Sequence, residues 1–266
     1  MELKARYGDT ALIAGASEGI GAAYASALAA EGFRLILVAR RIEPLQRLAD
    51  ELGDRYDTMA QCVACDLSEE GAAEQVLDAI EGVEPGILIY NAALSHIGTF
   101  TEHPAADHCQ AAVVNMITPM KMVHRLGIKM LDKGRGAVIL MSSMAGLQGS
   151  GFLATYAATK AFNMVLAESL WYEWKDRGVD IIACCAGATA TPGYIRSSPS
   201  KPGIFAPAVQ KPEVVVSECF KRIGRVPSFI TGRGNRVASF IMQRLLTRRM
   251  AVLIMGDNTR KIYRIR

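Results

Sequence analysis

The stretch Thr10-Ala11-Leu12-Ile13-Ala14-Gly15-Ala16-Ser17-Glu18-Gly19-Ile20-Gly21 decides the architecture. Five uncharged residues suited to a buried strand run into a glycine-rich turn, and an Ala-rich helical segment over 20–31 follows and stops at Gly32. The same succession of a short apolar run and a helix-period segment recurs along the chain. It predicts strands at 10–14, 33–39, 58–64, 86–90, 137–141 and 180–184 with helices between them, among them one over 161–175. Repeated βα units of this kind build an α/β fold around a parallel sheet.

The 266 residues are 50% hydrophobic and 21% charged, with 24 glycines and 10 prolines, which excludes a disordered, collagen-like or low-complexity chain. No internal repeat and no linker interrupts the pattern, so one domain is expected over 1–266, its core at about 8–230. No stretch approaches 18 uninterrupted apolar residues, and Glu2, Lys4, Arg6 and Asp9 occupy the start, so neither a membrane span nor a signal peptide is expected. Six cysteines are too few for a disulfide scaffold in a chain of this length, and reduced thiols in the cytoplasm are the expectation.

Two regions break the alternation. Residues 192–212 hold five of the ten prolines and suit a long loop with some apolar content, a lid over about 189–212. Beyond it, 213–223 looks helical, 228–231 suits a last strand, and 235–255 reads as one or two basic amphipathic helices within an extension over about 235–266. Residues 221–266 carry 12 of the 30 Lys and Arg against one acid, Asp257, so this tail is +11 while residues 1–220 sum to −7. The tail has three readings: a helix packed on the core, docking to a membrane surface or an acidic carrier protein, or nucleic-acid binding. Arg244, Arg248 and Arg249 beside Ile241, Leu245 and Leu246 fit the first two, and the lack of interleaved aromatic residues speaks against nucleic acid.

Gly15, Gly19 and Gly21, with Ser17, Glu18 and Ile20 between them, permit a tight turn whose backbone can approach a pyrophosphate at a helix N-terminus. The spacing G-x-x-x-G-x-G differs from the commoner dinucleotide fingerprint, and a glycine turn with no ligand is the other reading. The second strand ends in Arg40-Arg41, where an acid would accept from ribose hydroxyls and an arginine pairs with a 2′-phosphate. NADP(H) is therefore the expected cofactor; the alternative is that both arginines merely open a solvated helix. Asp66-Leu67 and Asn91-Ala92-Ala93 lie at the carboxyl ends of the third and fourth strands, where ligands bind in open parallel sheets.

Tyr156 and Lys160 form the one Tyr-x-x-x-Lys pair in the chain. Their i, i+4 spacing puts both on one helix face, so the ammonium can favour ionisation of a phenol whose ordinary pKa is about 10. Together with the glycine turn, the Asn91 turn, Asn115, and Ser143 thirteen positions before Tyr156, this set resembles the short-chain dehydrogenase/reductases over residues 8 to about 230. The resemblance implies a doubly wound, seven-stranded Rossmann-type sheet, a homodimer or homotetramer formed through the helices around Asn115 and residues 161–174, and hydride transfer between NADP(H) and a carbonyl or alcohol. It makes Tyr156 the proton donor and Ser143 the group holding the carbonyl oxygen. Lys160 would bind the nicotinamide ribose and lower the Tyr156 pKa, and Asn115 would kink its helix and anchor a water. Gly187, Thr189 and Thr191 fall where the family contacts the nicotinamide.

Ala14, Ala93 and Ala186 depart from the family's usual Thr, Gly and Pro, which bears on cofactor packing rather than proton transfer. The ending is similar to the ketoacyl reductase-like and 17β-hydroxysteroid dehydrogenase-like branch, which implies an apolar 3-oxoacyl or steroid-like substrate. Leu94, His96, Met144, Phe152, Leu153, Tyr194 and Phe205 are the expected pocket walls, with His96, Phe152 and Tyr194 the substrate contacts beside Ser143 and Tyr156. No metal site is expected: Cys62, Cys65, Cys184 and Cys185 read as buried thiols, and the four histidines show no ligand spacing. The expected function is an NADP(H)-dependent carbonyl reductase or alcohol dehydrogenase, with a dinucleotide-binding sensor or scaffold as the alternative.

Overall fold

Alternation of side chains along each strand divides the apolar residues of the sheet between two helical layers. In the computed structural model, which describes residues 3–197, 199 and 209–265, the chain runs α1 (Leu3–Tyr7), β1 (Thr10–Ala14), α2 (Gly19–Ala30), β2 (Arg34–Ala39), α3 (Ile42–Tyr56), β3 (Ala60–Ala64), α4 (Ala72–Asp78) and β4 (Ile87–Tyr90). It continues through α5 (Ala105–Ala112), α6 (Thr118–Asp132), β5 (Gly136–Ser143), α7 (Ala154–Trp174), β6 (Val179–Ala186), α8 (Pro192–Arg196), α9 (Pro212–Phe220), β7 (Ser228–Ile230), α10 (Arg233–Phe240) and α11 (Arg248–Tyr263). The seven strands pair in the order β3-β2-β1-β4-β5-β6-β7, every pair parallel.

Ala11 and Ile13 of β1 face one layer and Leu12 and Ala14 the other, and all four are fully buried. The first layer packs Tyr24 and Leu28 of α2, Leu45 and Leu52 of α3, and Val215 and Phe220 of α9. The second packs Val76 of α4, Met122 and Leu126 of α6, and Ala167 and Trp174 of α7. Covering both faces is what a parallel sheet requires, and it gives the α/β, doubly wound, single-domain architecture.

Strand β3 is the edge, and Ala60, Gln61, Cys62 and Ala64 remain partly or fully exposed rather than buried on both faces. At the centre, β5 and β6 run past their expected ends to Ser143 and Ala186, held together by continuous pairing up to Ser143 and Ala186. Helix α7 starts at Ala154, ahead of Tyr156, so the Tyr156 and Lys160 pair rides on its first two turns. Within 189–212, α8 opens the expected lid; residues 198 and 200–208, including Phe205, lie outside the described residues. No helix of the described residues is long and apolar enough to cross a membrane.

Strand order reverses between β1 and β4, so the loops leaving their carboxyl ends part and open a crevice there.

Candidate active site

The glycine turn sits in that crevice and is closed to side chains. Gly15 has φ +79°, and a Cβ on it would stand 2.6 Å from the Ala92 nitrogen. A Cβ on Gly21 would overlap the Gly15 carbonyl, and one on Gly19 (φ +61°) would stand 2.8 Å from Thr191 Cγ2. Asn91 braces the turn from β4: its Nδ2 donates to the Gly15 carbonyl at 2.9 Å, while the Asn91 and Ala92 N–H groups both donate to the Ala14 carbonyl at 2.9 Å. Gly15, Gly19, Gly21, Asn91, Ala92 and Thr191 are thus brought together into a bare backbone cradle at the start of α2, which fits a pyrophosphate.

Glu18 faces away from a phosphate role. Its carboxylate pairs with the Arg196 guanidinium of α8 and stands 3.9 Å from Arg41 Nη2, and the Arg196 bond holds it below the usual carboxylate range. Arg40 and Arg41 are exposed beyond the end of β2, and Arg40 makes no ion pair among the described residues. Asp66 Oδ1 accepts from the Ser68 N–H and hydroxyl at 3.0 and 2.7 Å, a turn-forming arrangement, and the Leu67 carbonyl accepts from Thr118 Oγ1 at 2.9 Å. Ser17 and Ile20 are half-buried in the turn, and Ala93 is exposed. On the far side of the crevice a Cβ on Gly187 would overlap the Asn235 side chain of α10, Thr189 Oγ1 donates to the Gly187 carbonyl at 2.9 Å, and Thr191 Oγ1 caps α8 by accepting from the Tyr194 N–H at 3.1 Å.

Asn115 lies fully buried in a π-helical turn, Val113–Ile117, inserted between α5 and α6. The Thr118 N–H bonds back to Val113, and Pro119 has no N–H, so the Val114 carbonyl takes the Tyr90 hydroxyl at 2.7 Å instead of a helical donor. The side chain of Asn115 is fully engaged: Oδ1 accepts from the Leu94 N–H at 2.8 Å, and Nδ2 donates to the Leu94 carbonyl at 2.8 Å and to Thr159 Oγ1 at 3.0 Å. It ties the loop after β4 to α7 through Thr159, a partner that no sequence spacing singles out.

Lys160 is 3% exposed, and its Nζ donates to the Met141 carbonyl at 2.8 Å. Burial pulls its pKa down to about 8. Its ammonium lies 5.6 Å from the centroid of the Tyr156 ring, and the Ser142 hydroxyl fixes the Lys160 carbonyl at 2.7 Å. Ser143, at the end of β5, accepts from the Ala145 N–H at 3.2 Å and hydrogen-bonds Tyr156, which favours the phenolate. Burial outweighs that bond, and nearby Tyr263 adds to it, so the Tyr156 phenol is held above its ordinary value. The expected lowering by Lys160 is thus not what this protein chain does alone; desolvation wins.

Helix α11 flanks this centre. Arg248 Nη1 donates to the Leu147 carbonyl at 3.0 Å, Val252 packs on Gly149, Gly256 packs on Gly151, and the Arg260 guanidinium lies 5.2 Å from the centroid of the Phe152 ring. Phe152 adopts φ +63°, and its carbonyl accepts from the Gly98 N–H at 3.0 Å, joining the loop after β4 to the segment before α7. Tyr263, whose charge would raise both Tyr156 and Tyr194, brings the last turn of α11 to the reacting end of the site. Within the basic tail, α11 buries Ala251 and Thr259 and rests on residues 147–152, while Val252, Leu253 and Ile254 on it and Val237, Phe240, Ile241 and Leu245 before it stay exposed. His96 is half-buried beside the same loop, its ring 5.2 Å from that of His103. All six cysteines are free, and Cys62 and Cys65 lie at the β3 edge, with four strands between them and Cys184 and Cys185 of β6.

Residues 9–201 match the family model described as short chain dehydrogenase, and the chain belongs to that family of oxidoreductases. It is 36% identical over 240 residues to the 7beta-hydroxysteroid dehydrogenase of Collinsella aerofaciens, covering 89% of this chain and 90% of that protein. It is 27% identical over 223 residues to the very-long-chain 3-oxoacyl-CoA reductase of Bos taurus, covering 82% of this chain and 69% of that one. A solved structure described as giving insight into 7beta-hydroxysteroid dehydrogenase stereoselectivity superposes with a TM-score of 0.88 at 33% identity, over 96% of this chain and 99% of that one. A short-chain dehydrogenase from Sphingobium yanoikuyae in complex with NADPH gives a TM-score of 0.72 at 28% identity, over 84% and 86% of the two chains.

Proposed function

We propose that this oxidoreductase interconverts a ketone and a secondary alcohol on an apolar, steroid-like substrate with NADP(H). The observation that carries this reading is the convergence of Ser143, Tyr156 and Lys160 on one crevice wall, beside a glycine cradle that no side chain can fill. The relatives named as hydroxysteroid dehydrogenases align over about nine-tenths of both chains, and this favours a steroid over a 3-oxoacyl thioester. A sensor without turnover gains no support from relatives named as dehydrogenases and reductases.

The backbone of Gly15, Ser17, Gly19, Ile20 and Gly21 would hold the pyrophosphate, Arg40 and Arg41 the 2′-phosphate, Asp66, Leu67, Asn91, Ala92 and Ala93 the adenosine end, and Gly187, Thr189 and Thr191 the nicotinamide end. The bound cofactor supplies or accepts the hydride. Ser143 donates a hydrogen bond to the carbonyl oxygen, and Tyr156 passes its phenolic proton to that oxygen as negative charge develops on it. Because burial holds the Tyr156 phenol up, it stays protonated and competent as an acid at neutral pH. Lys160, in contact with the cofactor ribose, would supply positive charge to the resulting phenolate. Phe152, Tyr194 and His96 line the substrate side, with α11 behind them.

Ile117, Met120 and Ile128 around α6 and Val165 and Tyr172 of α7 are exposed apolar residues on the two helices expected at a homo-oligomer interface, and their burial in a dimer is part of this reading. Six free thiols suit the cytoplasm. Any docking to a membrane or an acidic carrier protein would fall to the exposed face around Phe240 and Leu245.

The test is loss of reduced-nicotinamide absorbance with NADPH, and with NADH in parallel, against steroid ketones, 3-oxoacyl thioesters and aromatic ketones. Turnover of steroid ketones with NADPH supports the reading. Turnover confined to thioesters, or a preference for NADH, overturns its finer part.

A further inference from the structure

The loop between β4 and α5, together with the first turn of α5, brings together side chains that the sequence keeps apart. His96, His103 and Asp107 each offer a ligand atom, and these atoms all lie within 4.8 Å of one another. We propose that His96, His103 and Asp107 form a binding site for a divalent transition-metal ion of the zinc class.

The hydrogen bonds around the cluster select these three and no others. A backbone carbonyl can only accept, so the contact of His103 Nε2 with the Ile97 carbonyl at 3.3 Å places the proton on Nε2 and leaves the Nδ1 lone pair for a ligand. A ring nitrogen held by a carbonyl is also the usual second-shell support of a metal-bound histidine. His96 Nε2 is sealed from solvent and has no hydrogen-bond partner, an expensive state for a polar atom that a metal ion would relieve. Asp107 makes no hydrogen bond or ion pair through its carboxylate among the described residues, so an anionic ligand stands ready. His108, close by, is spoken for at both nitrogens: Nε2 donates to the Phe100 carbonyl at 2.9 Å, and Nδ1 accepts from Thr155 Oγ1 at 2.8 Å.

The loop is built to hold this arrangement. Thr99 and Glu102 close a reciprocal cap, and Gly98 at φ +146° admits the His103 ring, whose Nε2 would stand 3.0 Å from a Cβ there. Metal–nitrogen bonds of about 2.1 Å in a tetrahedral site bring ligand atoms to about 3.4 Å from each other, so closure asks for about 1 Å of side-chain movement. Two imidazoles and a carboxylate leave the fourth position to water. Through Gly98 to Phe152 and His108 to Thr155, the loop abuts the wall beside Tyr156, so a bound ion would stiffen the substrate side.

Titration of the metal-free full-length protein with cobalt(II) tests this, with zinc competition read in the same samples. The expected result is intense visible d–d absorption saturating at one equivalent and erased by zinc, with at least tenfold weaker binding in His103→Ala and Asp107→Asn and unchanged binding in His124→Ala. No absorption in the wild-type protein, or equal binding in the two cluster variants, overturns the proposal. Far-ultraviolet circular dichroism on each variant keeps loss of fold apart from loss of ligand.

Discussion

The Lys160 ammonium is sealed inside the protein and bound to the Met141 carbonyl at 2.8 Å, so a positive charge faces one backbone dipole with no carboxylate partner among the described residues to offset its desolvation. That relationship sets a cost on the fold. The folded pKa of about 8 lies below the ordinary lysine value of 10.5, and below pH 8 the full penalty, about 3 kcal/mol, acts against the native state. As pH rises from 8 towards 10.5 the folded protein sheds the proton first, the unfolded chain binds more protons, and stability rises. Lys160→Met removes the charge and one hydrogen bond worth about 1 kcal/mol, for a net gain of about 2 kcal/mol at neutral pH. Thermal unfolding is expected a few degrees higher in this variant at pH 7, with the gap closing towards pH 10 and turnover lost. A variant that melts below the wild type at pH 7 would contradict the account.

On the proposed mechanism the same depressed value sets the alkaline limit of activity. The pH dependence of kcat/KM reports the groups of the free enzyme, so its alkaline limb is expected near pH 8, where Lys160 loses its charge, well below the range of the Tyr156 phenol. Steady-state rates at NADPH concentrations well below its KM, where the cofactor-free protein is the titrating species, locate the limb across pH 6 to about 10. A limb above pH 10 would assign it to Tyr156 instead.

Asn115 is a joint between two elements. Asn115→Ala would leave the Leu94 N–H and carbonyl without their partner inside the protein and cut the link to Thr159, at a cost of about 2–4 kcal/mol. Urea unfolding should show this loss in the midpoint with the slope unchanged. An unchanged midpoint would mean that water replaces all three bonds.

What the sequence conveyed was the part fixed by local chemistry. Thr10–Ala14 was legible to the residue because an apolar run meets a glycine turn, and Tyr156 and Lys160 because helix spacing alone puts them on one face. Ser142 and Ser143 lie beyond the apolar run at 137–141 because serine carries little strand signal; continuous pairing with Cys185 and Ala186 holds them in β5. Helix α11 was read short, since Gly256, Asp257 and Asn258 are poor helix formers, and packing of Gly256 on Gly151 is a tertiary reason no local pattern contains. The histidine cluster is hidden for the same cause: His96 and His103 lie on a loop, where spacing carries no geometry, and only the fold of that capped loop brings them to Asp107 of α5. The direction of the Tyr156 shift also reversed, because burial has no representation in an i, i+4 spacing.

Helix α11 lies beyond the residues that the family model matches, and it rests on the segment before α7 that the proposed function places on the substrate side. Deleting residues 247–266 would strip Arg248 from the Leu147 carbonyl, Gly256 from Gly151 and Arg260 from Phe152 while leaving the glycine cradle untouched. The expected outcome is a rise in substrate KM of roughly tenfold or more, equivalent to about 1.4 kcal/mol, with NADPH affinity preserved. Fluorescence titration of NADPH beside steady-state kinetics separates the two, and an unchanged KM would show that α11 only covers the core.

Arg40 and Arg41 stand exposed at the end of β2, with only a distant Glu18 contact among the described residues, at 3.9 Å, on Arg41. A 2′-phosphate arriving there would form charge-assisted bonds in the range of about 1.5–3 kcal/mol, so Arg40→Ala combined with Arg41→Ala should lower the preference for NADPH over NADH by roughly ten- to a hundredfold. The NADH rate is expected to change little, because that cofactor has only hydroxyls at this end. Binding of NADPH to exposed guanidinium groups is screened by salt, and raising ionic strength should weaken the wild-type enzyme far more than the double variant. The ratio of kcat/KM for the two cofactors, measured at low and high salt, decides it: a ratio that neither substitution nor salt moves would mean that these arginines serve only as the solvated start of α3, and that the cofactor is chosen elsewhere.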